Sequence, residues 1–195
     1  MMYLNETIIL LSELQDIIND NKYMSGKATN ENTLETSEYV IYFSDGGVEH
    51  IKGRHQDKYA PGSLFVDGLN YVDTAKKIVT GKAERDDGKF GTKVKWIGVD
   101  TGGDIGSMGV AYADPSEVAN MKDYVMPDSK NMEKVKVSGG ERKSTKEASL
   151  ITVVVGKLSD GREALSVISM FPGGGDVDGN TIPADRSQFA AQGFY

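Results

Sequence analysis

The sequence predicts an α+β fold, with N-terminal helices packed on a curved antiparallel β-sheet. Three observations carry this. Residues 5–20 place Leu10, Leu11, Leu14, Ile17 and Ile18 at three- and four-residue spacing, which lines one face of a helix. Residues 38–43, EYVIYF, and 92–99, TKVKWIGV, are rich in β-branched and aromatic residues, as strands are. Residues 150–158, LITVVVGKL, meet residues 162–171, REALSVISMF, across Ser159-Asp160-Gly161. An Asp-Gly turn between two apolar runs is a strong hairpin signal, and the continuous apolar arms place this hairpin centrally in the sheet.

The other elements follow in order. Asn5 is expected to cap the first helix, with Glu6 near the positive end of its dipole. Residues 21–37 are polar and aperiodic, a loop or linker. Ser44-Asp45-Gly46-Gly47 ends the strand over 38–43, and the stretch that follows is helical or irregular. Asp67 is expected to cap a helix that turns Leu69, Val72, Ala75, Ile78 and Val79 inward, with Gly81 beyond its last turn. Residues 84–91, ERDDGKFG, read as a charged turn, and residues 100–106 as a glycine-rich loop before a strand over 107–113. Asp114-Pro115-Ser116-Glu117 has the cap, first-turn proline and capping-box glutamate of a helix start, and Pro127 ends that helix. Residues 128–148 are polar, and the glycine-rich end is an irregular tail. This organisation divides the chain into residues 1–37, 38–173 and 174–195.

Composition narrows the function. The 195 residues contain no cysteine, which excludes disulfides, thiolate metal sites and cysteine nucleophiles and suits a reducing cytoplasm. The net charge of −7 argues against a general nucleic-acid coat, which needs broad positive surface, and leaves room for a local basic cleft. No apolar run approaches the roughly 18 residues of a membrane span. The N-terminus lacks a basic segment, so no signal peptide and no membrane association are expected. Asp176-Val177-Asp178-Gly179-Asn180 starts like a calcium loop, but Thr181 and Ser187 stand where an EF-hand needs Gly and Glu. The glycines of residues 102–109 lie between strands rather than before a helix, so they form no nucleotide cradle. No cofactor and no metal are expected.

Chemistry concentrates in residues 48–65, VEHIKGRHQDKYAPGSLF. They hold both histidines, His50 and His55, among Lys52, Arg54 and Lys58. Cleaving RNA without a metal takes a base for the 2′-OH proton, an acid for the leaving 5′-oxygen and a cation beside the phosphate. Histidine titrates in the range for both proton tasks, and lysine or arginine supplies the third. Residues five apart on a helix are not neighbours on one face, so a segment carrying two cooperating imidazoles has to bend. Arg142, Lys143 and Lys146 form a second basic tract that either contacts phosphate or is a solvated loop.

His50-Ile51-Lys52-Gly53-Arg54-His55, followed by Pro61-Gly62-Ser63-Leu64-Phe65 and a helix, resembles the HI-x-x-G-H and Pro-Gly run of bacterial EndoU-type nucleases. The late hairpin, with Ile151 to Val155 and then Ser169-Met170-Phe171-Pro172, resembles their final strand pair. More broadly the order is similar to the barnase–EndoU–colicin–RelE superfamily of metal-independent ribonucleases, toxins and phage-borne proteins among them. The resemblance covers residues 38–173. It implies His50 or His55 as base or acid and Ser169 where the family's hydroxyl contacts phosphate. Such enzymes bring their second histidine from a distant position, and this chain has no third histidine. A lysine then has to do more, with Lys58, Lys93 and Lys95 as candidates. Arg54, Lys93, Lys95, Arg142, Lys143 and Lys146 are the expected RNA contacts. RNA is the expected partner, with an immunity or host protein as a second. The alternative is a non-catalytic phage protein, a host-factor inhibitor or virion component that works by protein binding.

Overall fold

In the computed structural model, residues 2–22, 24–56, 63–89, 91–108, 112–113, 137–139 and 143–174 are described. In chain order they form α1 (Met2–Asp20), β1 (Thr33–Glu35), β2 (Tyr39–Tyr42), α2 (Asp45–His55), β3 (Leu64–Phe65), α3 (Tyr71–Ile78), β4 (Glu84–Gly88) and β5 (Gly91–Asp100). There follow β6 (Gly106–Met108), β7 (Tyr112–Ala113), β8 (Val137–Gly139), β9 (Lys143–Thr145), β10 (Glu147–Lys157) and β11 (Glu163–Pro172). This is an α+β fold. A six-stranded sheet has the order β1-β2-β11-β10-β5-β4, beside a three-stranded sheet β3-β6-β9 and a two-stranded pair β7-β8. The expected helix over residues 114–127 and the expected tail from residue 175 onward lie outside the described residues.

The chain divides into two compact units. One comprises Met1–His50, Asn70–Ile97 and Leu150–Met170, and the other Ile51–Leu69, Gly98–Ser149 and Phe171–Tyr195.

In the first unit, α1 presents Leu10, Leu14 and Ile18 at four-residue steps to Val40, Tyr42, Leu158 and Ala164, and all seven are buried. Each such aliphatic side chain contributes about 1.5–3 kcal/mol when fully removed from water. The helix begins at Met2 rather than at the expected Asn5 cap. Segment 21–37 is held by polar bonds: Gln15 accepts from the Ala28 amide at 2.8 Å, and Asn32 accepts from the Thr29 amide at 2.8 Å. It also contributes β1, antiparallel to β2. Burial raises the Tyr42 hydroxyl above its ordinary value, and the Asp45 carboxylate adds to the shift. That hydroxyl donates to the Ser25 carbonyl at 3.0 Å.

The predicted central hairpin is present, with β10 and β11 the middle strands of the six. The sheet is mixed, however, because β11 pairs with β2 in parallel, Glu163 opposite Tyr39 through Ser166 opposite Tyr42. That pairing joins segments far apart in sequence, and hairpin signals report only local antiparallel pairs. The curvature expected of the sheet is visible in two contacts. Arg85 of β4 donates twice to the Glu163 carboxylate of β11, at 2.7 and 3.2 Å. Tyr39 of β2 meets Trp96 of β5 edge to face, with centroids 5.8 Å apart. Each pair lies three strands apart in the order, about 14 Å in a flat sheet at about 4.8 Å per strand. The sheet is therefore bent across its strands, while β1 and β4 stay apart as its two edges.

Two expected local features are displaced. Residues 84–91 form no simple turn: β4 pairs with β5 from Glu84 opposite Lys95 to Gly88 opposite Gly91. Every residue of β4 is exposed, and charge on an exposed edge strand resists pairing with other chains. Asp67 sits in a turn, and Asn70 caps α3 instead, accepting from the Asp73 amide at 3.0 Å. Thr74, Ala75 and Ile78 are the buried residues of α3.

Ser44 ends the strand run and also starts α2. Its carbonyl accepts from the Val48 amide at 3.0 Å, and its hydroxyl accepts from the Gly47 amide at 3.1 Å. Gly47 allows α2 to lie against β11, since a Cβ there would stand 2.4 Å from the Val167 carbonyl oxygen. Ser44→Ala removes a buried cap and is expected to cost about 1 kcal/mol, read as a lower midpoint in urea denaturation.

The hairpin turn is tied to its surroundings by Arg162, which donates to Asp160 at 2.8 Å and to Glu35 of β1 at 3.0 Å. Ser159 donates to Glu13 of α1. The Arg162 amide, followed by the Arg162 guanidinium, holds the Asp160 carboxyl below its ordinary value. A depressed carboxyl stabilises the fold above its unfolded value, about pH 4, and loses that contribution as pH falls through the folded value. Asp160→Asn is thus expected to reduce the drop in melting temperature on acidification below about pH 4, a change that paired thermal melts detect.

In the second unit, β6 pairs antiparallel with both β3 and β9, Gly106 lying opposite Phe65 on one side and Thr145 on the other. β7 and β8 form an antiparallel pair with an irregular register. Ser149, fully buried, accepts from the Gly98 amide at 2.9 Å and donates to the Gly173 carbonyl at 2.6 Å. The Gly173 amide donates to the Glu147 carbonyl at 2.7 Å, which fixes the chain just beyond Pro172.

Candidate functional site

Residues 45–55 form a single helix, so both imidazoles ride on α2. Five positions at about 100° each separate them by about 140° around the axis. α2 does not bend to bring them onto one face. His50 is exposed, and His55, the last residue of the helix, is half-buried.

His55 makes two contacts within the second unit. Its Nδ1 lies 3.0 Å from the carbonyl oxygen of Ser63. A carbonyl oxygen only accepts, so Nδ1 carries the proton of this bond. In the neutral ring, Nε2 then bears the lone pair. The imidazole also lies against Phe171, with centroids 5.5 Å apart and planes tilted by 37°. These two contacts come from different segments of the chain. Arg54, the preceding residue, is half-buried.

The remaining predicted residues are placed as follows. Ser169 is on β11 in the first unit, with 9 % of its surface exposed, so its hydroxyl is withdrawn from solvent. Lys93 and Lys95 are on β5, where the register sets Asp86 opposite Lys93 and Glu84 opposite Lys95. Lys95 Nζ stands 3.4 Å from the Asp86 carboxylate, while Lys93 is exposed. The acidic strand beside them offsets the positive field that a phosphate would meet. In the second unit Lys146 is exposed, and its carbonyl accepts from Thr101. Lys143 is in β9, where its backbone alone is described. Lys58 and Arg142, like the calcium-loop-like stretch at 176–180, lie outside the described residues.

Ser63 and Phe171 are the residues that sequence reasoning missed. Phe171 stands inside the Ser169-to-Pro172 run yet reads there only as the end of a strand. The Ser63 contact is made by a backbone carbonyl, which no side-chain pattern encodes.

Among the described residues, no helix is long and apolar enough to cross a membrane. Comparisons with protein-family models, with curated proteins and with solved structures give no match.

Proposed function

We propose that this chain is a metal-independent endoribonuclease that cleaves RNA by 2′-OH transesterification, with His55 as the proton-carrying group. The observation that supports this is the bond from His55 Nδ1 to the Ser63 carbonyl at 3.0 Å. It sets the tautomer a general base requires, with the lone pair on Nε2. In the reaction Nε2 takes the 2′-OH proton, the 2′-oxygen attacks phosphorus and the bond to the 5′-oxygen breaks. The products are a 2′,3′-cyclic phosphate and a 5′-hydroxyl. The leaving oxygen needs a proton from a second acid, for which the sequence offers Lys58, Lys93 and Lys95, and Arg54 adds positive charge beside His55. Incubation with total tRNA in EDTA is expected to give discrete fragments. RNA left intact at every protein concentration contradicts the proposal.

A second reading has its own support: the divergence of His50 from His55 around α2, and the burial of Ser169. Under it the chain is a non-catalytic protein that works by binding another protein, an inhibitor of a host factor or a virion component. Recovery of one stoichiometric protein partner from host lysate, with no RNA cleavage, favours this reading. RNA cleavage without a stable protein partner counts against it.

A further inference from the structure

We infer that Asp67-Gly68 is a covalent modification site, at which the folded chain converts Asp67 to isoaspartate through a cyclic imide. The inference is independent of the ribonuclease reading.

Asp-Gly occurs at residues 45–46, 67–68, 87–88, 160–161 and 178–179. Glycine has no Cβ, so its amide nitrogen can reach the carboxyl carbon of the residue before it. Ring closure also needs a carboxyl that is not held as a charged acceptor, and a peptide unit that can rotate. Asp178-Gly179 lies outside the described residues, and the structure separates the others.

The Asp160 carboxylate accepts from the Arg162 amide at 3.0 Å and from Arg162 Nε at 2.8 Å. Bonds to the charged form keep a carboxyl ionised, whereas the imide forms from the protonated acid. The Gly161 amide is itself engaged, donating to the Leu158 carbonyl at 3.0 Å. Asp87 accepts from the Thr92 hydroxyl at 2.8 Å, and Gly88 is held in β4 opposite Gly91. Asp45 and Gly46 lie in α2, where rotation of one peptide unit would break the first turn.

Asp67 and Gly68 have none of these restraints. Both are exposed and stand in a turn between β3 and α3. Among the described residues, the Asp67 side chain has no hydrogen bond or ion pair and the Gly68 amide has no acceptor. Gly68 has φ +72°, and a Cβ added there would meet nothing within 4 Å. The chain is tied just before the turn, where the Val66 amide donates to the Ile105 carbonyl at 3.1 Å.

In the reaction the Gly68 nitrogen attacks Cγ of protonated Asp67. The N–Cγ bond forms, the Cγ–OH bond breaks, and the hydroxyl leaves as water with the amide proton. A second water then opens the ring. Attack at Cγ returns aspartate. Attack at the main-chain carbonyl leaves the α-carboxylate free and routes the backbone through Cγ, which is isoaspartate. The extra backbone carbon enters an exposed turn with open space beside it, so the fold accommodates the product.

The test ages the full chain at neutral pH and body temperature, folded and in guanidinium chloride. Tryptic peptides are then read by electron-transfer fragmentation, which distinguishes isoaspartate from aspartate at equal mass. In the folded sample, isoaspartate at residue 67 is expected to exceed that at residues 45, 87 and 160 several-fold. In guanidinium chloride, where the restraints on those three residues are gone, the difference is expected to disappear. Asp67→Glu, which would need a larger ring, is expected to lose the signal at this position. Isomerisation of Asp45, Asp87 or Asp160 as fast as that of Asp67 in the folded protein overturns the inference. So does aspartate retained at residue 67 in the folded sample when the unfolded one has isomerised there.

Discussion

Gly106→Ala is expected to destabilise the protein by about 3 kcal/mol, the upper end of what overpacking a well-filled site costs. Gly106, like Ser107, is a residue of the middle strand β6 that is paired on both sides. An added Cβ would stand 2.2 Å from the Leu64 carbonyl oxygen, 2.8 Å from Pro172 Cγ and 2.9 Å from Phe65 Cα. Two of these atoms are backbone, so relief requires β3 to shift rather than a side chain to rotate. A shift of β3 also disturbs the pairing of Leu64 with Ser107. Gly103→Ala is the matched control. A Cβ added at this exposed residue would meet nothing within 4 Å. Its effect is expected to stay within about 0.5 kcal/mol, as for an open surface site. Urea denaturation midpoints of the two variants check this. Equal midpoints would mean that β6 is not packed as described.

Cleavage of RNA is expected to fall by about 10²–10⁴-fold in His55→Ala, the range for loss of a positioned general base, and to remain near the wild-type rate in His50→Ala. The difference comes from the helix. Both imidazoles lie on α2, and His55 bonds the Ser63 carbonyl through Nδ1 and stands beside the Phe171 ring. His50 is exposed and turned about 140° away around the axis. Single-turnover rates at saturating protein separate the chemical step from RNA binding. Equal losses in both variants would point instead to two cooperating imidazoles.

Local features are legible where one residue type has one structural use. The Asp160-Gly161 turn and the two apolar arms around it mark the β10–β11 hairpin and its central position. The spacing of Leu10, Leu14 and Ile18 marks the buried stripe of α1. Other residues have several uses. Ser44 punctuates the end of a strand equally well as the start of a helix, and it does both. Asp67 and Asn70 are both cap residues, and the cap falls at Asn70. The charges of β4 look like a turn because edge strands and turns share a composition. The parallel pairing of β2 with β11 joins distant segments and leaves no local mark.

The candidate site is legible to a similar depth. The proposal of proton transfer comes from its residue types. They do not show the neighbours of His55, among them the backbone carbonyl of Ser63 and the ring of Phe171. Lys93 and Lys95 read as candidate phosphate contacts from their residue type, which does not show what stands beside them. In the fold, the same lysines face Asp86 and Glu84 of β4.

The most direct measurement is the chemistry of the RNA ends produced in EDTA. The wild-type protein is expected to give 2′,3′-cyclic phosphate and 5′-hydroxyl termini, and His55→Ala to lose them. Intact RNA, termini with a 3′-hydroxyl and a 5′-phosphate, or the same cyclic ends at an undiminished rate from His55→Ala would contradict the proposed reaction.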